Sequence, residues 1–140
     1  MVQRPPPNGY TSPRFPSLNW ELTDPTERKE RSLFYIRDIW SFTVLWTLII
    51  YAVFHLGAAA IAVVMHGHRR SGWKFLWAVP VVYLLVAAAQ ALLSGSVVGL
   101  MLGAIYNAGY FSMSPWIPLA WGIINVLVLV ISSFSIQGGL

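Results

Sequence analysis

The stretch AAAQALLSGSVVGLMLGA, residues 87–104, places a small residue at every fourth position: Ala87, Ala91, Gly95, Gly99 and Gly103. Residues four apart share one face of a helix, so this spacing predicts a flat strip along one side while Leu, Val and Met fill the others. Lipid tails are as apolar as leucine, and hydrophobicity gives two helices little cause to associate inside a bilayer; close backbone approach supplies it. The stretch therefore predicts a transmembrane helix shaped for close contact with another helix. Asn107 extends the same row.

Working outward, the chain from Ile39 to Ile136 consists of three charge-free apolar stretches separated by short polar or proline-containing turns. The whole chain is 56% hydrophobic and only 10% charged, far from the roughly 25% charged content of soluble domains. The fold class that follows is an all-α integral membrane protein with three transmembrane helices. The expected helices cover about 39–65, 75–106 and 117–136. At ~1.5 Å per residue each is long enough for a ~30 Å hydrocarbon core. The second exceeds one crossing, which predicts tilt, a kink, or a split near Ser94, Gly95 and Ser96.

All five acidic residues and six of the nine basic ones lie in the first 38 positions. Pro5, Pro6, Pro7, Pro13 and Pro16 oppose helix formation there, so residues 1–31 are expected to form a disordered, proline-rich and charged tail and residues 32–140 the membrane domain. No apolar h-region precedes the first long helix, which is expected to act as its own targeting signal. Residues 27–40 suggest a short amphipathic approach, with Leu33, Phe34, Ile36 and Trp40 on the membrane surface. Tyr110, Phe111 and Trp116 place the turn before the third helix at the bilayer interface, the depth that aromatic rings favour. A basic loop, His66, His68, Arg69, Arg70 and Lys74, joins the first two helices. Four basic residues before the first helix against three in this loop leave the orientation of the termini open.

Each helix carries one strongly polar side chain near its middle: His55, Gln90 and Asn125. An unpaired amide or imidazole in hydrocarbon costs several kcal/mol, so the three are expected to find one another or water. Thr43, Thr47, Tyr51 and His55 form a polar stripe on one face of the first helix, and Gln90 with Ser94 repeats the spacing on the second. Helix-to-helix hydrogen bonding, worth about 0.6 kcal/mol each, accounts for these residues. A proton relay through His55 is the sharper alternative, but the spans lack the further ionisable groups that a carrier path uses.

No catalytic, cofactor or metal site is expected. The chain has no cysteine, which removes thiol nucleophiles, disulfides and thiolate ligands. His66 and His68 beside two arginines suit lipid headgroups better than a metal. Ser94 and Ser96 have no acid on their helix to organise a base. The basic residues flank membrane spans, where anionic lipid attracts them, so nucleic acid is not an expected partner, nor is a small-molecule substrate. The expected partner is the lipid bilayer; the ridge at Gly95, Gly99 and Gly103 is expected to receive either another helix of the same chain or, between molecules, a second copy or another membrane protein.

The order of these features resembles the transmembrane protein 170 family, small three-span eukaryotic proteins. The resemblance runs from about Phe34 to Ile136 and rests on Trp40, Leu45-Trp46, Phe54-His55 followed by Gly57-Ala58-Ala59, the basic turn 66–70 with Gly72, the small-residue second helix ending at Tyr106, and Pro118. Gly57 stands where the family pattern has a proline after the Phe-His pair, and no Asn-x-Ser/Thr sequon is present. The resemblance implies a non-enzymatic membrane-organising protein of the endoplasmic reticulum and nuclear envelope that supports sheet morphology and nuclear pore organisation. An accessory subunit of a larger membrane enzyme or transporter is the alternative expectation, and a proton-coupled carrier the most remote.

Overall fold

The computed structural model describes residue 6, residues 8–18, 32–66 and 77–137. Among the described residues there are three helices: α1, Ile36–His66; α2, Ala78–Ala108; and α3, Trp116–Gln137. All three are long and apolar enough to cross a membrane. The all-helical, three-span reading of the sequence holds, with element ends shifted by one to three residues from those expected. The second helix is continuous through Ser94, Gly95 and Ser96, so it is not divided into two pieces.

Helix α1 is the central element. It packs extensively along α2 and along α3, whereas α2 and α3 scarcely touch each other. Ile36, Trp40 and Thr47 of α1 meet Gly103, Gly99 and Gly95 of α2, so numbering falls on one helix as it rises on the other and the pair is antiparallel. Thr47 and Tyr51 of α1 meet Gly122 and Asn125 of α3, so these two run in the same direction. The starts of α1 and α3 therefore share one end of the bundle with the close of α2.

That end is held by a short non-local pairing. Leu33 and Met113 exchange both backbone hydrogen bonds, at 2.8 and 3.0 Å, in an isolated antiparallel bridge. Both side chains are 0% exposed and form a cluster with Ile39, Phe42 and Leu102. Leu33, expected on the membrane surface, is instead a core residue, because the turn after α2 folds back over it. The rest of the amphipathic approach, up to residue 31, lies outside the described residues.

The proline-rich tail is also partly engaged. Tyr10 donates its hydroxyl to the Ser32 carbonyl at 2.8 Å and meets Phe34 edge-on, centroids 4.9 Å apart. Phe15 packs against Phe42 and Trp46 of α1, at 5.5 and 5.2 Å between centroids. Residues 8–18 thus lie along the bundle, where proline content alone leads one to expect a detached tail. The prolines prevent helix formation but leave the two aromatic side chains able to bury apolar surface.

Candidate functional site

The small-residue strip of α2 is buried along its full length: Ala87, Ala91, Gly95, Gly99 and Gly103 all face inward. What covers it is α1. A Cβ added at Gly99 would come within 3.1 Å of the Trp40 Cα and 3.3 Å of the Thr43 Cβ; at Gly95, within 3.2 Å of the Val44 Cα and the Thr47 Cβ; at Gly103, within 2.8 Å of Ile36 Cγ2. At Gly95 and Gly99 the opposing atoms include main chain, which cannot swing aside as a side-chain tip can. The glycines therefore set the separation of the two helices. Within the chain the strip is covered by α1, the intramolecular one of the two kinds of contact that its spacing allows.

A second close approach lies on α3. A Cβ at Gly122 would stand 2.9 Å from Ile50 Cδ1 and 3.2 Å from the Thr47 backbone nitrogen. Pro118, Gly122 and Val126 are buried at a spacing of four. Sequence reasoning missed this contact, although the spacing was the available signal.

Thr43 and Thr47 lie in the middle of the α1–α2 contact and are 0% exposed. Each hydroxyl donates back to its own helix, Thr43 to the Ile39 carbonyl at 2.8 Å and Thr47 to the Thr43 carbonyl at 2.7 Å. This satisfies both hydroxyls without a partner on another helix. Tyr51, one step further along the same stripe, does cross between helices. Its hydroxyl donates to the Asn125 main-chain carbonyl of α3 at 3.2 Å and stands 3.5 Å from the Ser94 hydroxyl of α2. Ala87, Ala91 and Val126 pack with it. Tyr51 is the point at which side chains of all three helices meet.

The three mid-span polar residues, expected to find one another or water, make no hydrogen bond to each other among the described contacts. His55 Nδ1 donates to the Tyr51 carbonyl of its own helix at 2.9 Å. Its ring stacks on Tyr51 and meets Tyr83 of α2 edge-on at 6.4 Å. Gln90 Oε1 and Asn125 Nδ2 are buried without a protein hydrogen-bond partner. The physical reason is that a backbone carbonyl four residues earlier is always within reach of a helical side chain, while the meagre α2–α3 contact offers Gln90 and Asn125 little of each other. The basic loop residues His68, Arg69, Arg70 and Lys74 lie outside the described residues, as does the side chain of His66.

Together these contacts define a three-span membrane protein in which one central helix is gripped on two sides by glycine-mediated contacts. The chain belongs to the transmembrane protein 170A/B-like family, which matches residues 32–140. A relative in Saccharomyces cerevisiae, the uncharacterized protein YPR153W, is 39% identical over 133 residues, 94% of this chain and 91% of the yeast protein. No solved structure matches. The family match begins at Ser32, whose carbonyl receives the Tyr10 hydroxyl, so the docked segment 8–18 lies outside the matched region.

Proposed function

We propose that this multi-pass membrane protein is a non-enzymatic organiser of the endoplasmic reticulum and nuclear envelope, supporting membrane sheets and nuclear pore organisation. Membership in the transmembrane protein 170A/B-like family carries this reading. The hydrogen bonds of the first span support it, because they are made to the main chain: Thr43, Thr47 and His55 bond carbonyls of their own helix, and Tyr51 bonds one of a neighbour.

The alternative is an accessory subunit of a larger membrane complex, which would meet a foreign helix by displacing α1 from the α2 strip or through another face. Depletion of the protein with imaging of organelle shape, beside affinity purification in mild detergent, tests the choice. The proposal expects altered sheets or pore number with no single stoichiometric partner. Normal organelle shape with one stoichiometric membrane partner would overturn it.

A further inference from the structure

We infer that Tyr110 and Phe111 form a rigid aromatic anchor that enters the headgroup–acyl boundary of the leaflet beside the starts of α1 and α3, and thereby fixes the depth of α2. The inference begins from a backbone outlier. Tyr110 has φ of 54°, the single described non-glycine residue at positive φ. This left-handed conformation is one that residues other than Gly, Asn and Asp seldom adopt. Around it α2 closes with a Schellman arrangement: the Tyr110 amide donates to the Asn107 carbonyl at 3.3 Å and the Phe111 amide to the Tyr106 carbonyl at 3.1 Å. Glycine normally occupies the left-handed position of this motif, yet the adjacent Gly109 sits in ordinary helical space, φ −83°. The glycine serves another purpose. A Cβ there would lie 2.8 Å from Phe111 Cδ2, so its absence is what lets the Phe111 ring fold over the helix end.

The turn is held at its other side too. Met113 is locked to Leu33 by two hydrogen bonds, and Ile117 donates to the Ser114 carbonyl at 3.1 Å. Between these fixed points Phe111 remains 73% exposed and Tyr110 52% exposed. The backbone that carries both rings is held by the helix close on one side and by the bridge on the other. A strained residue that presents exposed aromatic rings from a rigid turn at a helix end is poorly explained by stability, and strain of this kind marks function. The occupant is the surrounding leaflet, since the turn joins two spanning helices at one membrane face and aromatic rings favour that depth. Helix α2, with 31 residues, is about 46 Å long against a ~30 Å hydrocarbon core. An anchor at its close assigns the excess to the opposite end or to tilt.

The chain's lack of cysteine makes the test direct. The full-length protein with Ser112→Cys, an exposed position, is labelled with an environment-sensitive fluorophore and reconstituted in phosphatidylcholine vesicles brominated high on the acyl chains. Strong quenching and blue-shifted emission are expected. Phe111→Ser should lower the quenching, and Tyr110→Gly, which keeps the backbone but removes the second ring, should lower it by a smaller amount. Gly109→Ala favours helix while pushing the ring aside, so it should lower quenching with helical circular dichroism intact. Water-like emission in the parent, or quenching unchanged by both Phe111→Ser and Gly109→Ala, would overturn the anchor.

Discussion

At the end of the bundle where α1 begins, three glycines of α2 lie against α1 with main-chain atoms 3.1 to 3.5 Å from where a Cβ would stand; towards the other end, Gly57 of α1 has nothing within 4 Å. Both regions are rich in small residues, and the sequence around Gly57, with Ala58, Ala59 and Ala60, looks as suited to packing as that around Gly99. The difference is which face the small residues occupy. Gly95, Gly99 and Gly103 recur on one side of their helix and are all buried, whereas Gly57, Ala58 and Ala60 scatter round theirs and are exposed. Small residues bring membrane helices together only when they line up, because each must leave its groove open where the next one continues it.

The sharpest way to break this comparison is to fill both places. Gly99→Leu should destabilise the bundle by about 3 kcal/mol or more, since the added carbons meet the Trp40 backbone. Gly57→Leu should stay within about 0.5 kcal/mol. Unfolding in mixed micelles with rising denaturing detergent gives both numbers, and equal effects would erase the distinction. Gly122→Ala comes next, with an expected loss of about 1–3 kcal/mol because Ile50 and the Thr47 backbone nitrogen leave little room for a methyl group. The same titration checks it. Tyr51→Phe removes the hydroxyl that bonds α3 and should cost about 0.6 kcal/mol. A loss several times larger would mean that the three-helix meeting point, rather than the glycine contact, holds the bundle.

The smallest effect concerns the docked tail. Burial pushes the Tyr10 phenol up to about 12, with the Asp38 and Tyr35 charges adding to it and the Phe34 backbone hydrogen bond opposing. The folded state holds this proton more tightly than the undocked one, so the phenol's contribution is complete below pH about 10 and fades as pH rises towards 12. Phenolate absorbance of the protein minus that of Tyr10→Phe should show a late-titrating tyrosine. A Tyr10 that ionises at its ordinary pH would mean that the segment is not docked in the membrane-bound protein.

How much of this was legible in the sequence follows from how local each signal is. The three spans and the buried strip of α2 are written in composition and in a spacing of four, which helix geometry converts directly into a face. The partner of that strip was only half legible: Thr43 and Thr47 stand out as a polar stripe on the first helix, but Ile36, Trp40 and Val44, which complete the receiving surface, look like any lipid-facing residues. Gly122 was missed among the Ile, Leu and Val of α3 although Pro118 and Val126 flank it at the same spacing. The Leu33–Met113 bridge joins residues 80 apart by backbone alone, and side-chain patterns carry no record of such pairing. His55, Gln90 and Asn125 each lie near the middle of a span, which suggests pairing, but a helix offers His55 a nearer acceptor in its own Tyr51 carbonyl.

The central claim is that the glycine strip of α2 is filled by α1 of the same chain. Gly99 and Thr43 test it most directly, because a Cβ at Gly99 would stand 3.3 Å from that of Thr43, close to the separation that a disulfide spans. The protein has no cysteine of its own. Thr43→Cys with Gly99→Cys, oxidised in the bilayer, should give an intramolecular disulfide that migrates as a monomer, while Gly99→Cys alone should give no dimer. Disulfide-linked dimers through Gly99→Cys would contradict the account and place the strip between chains.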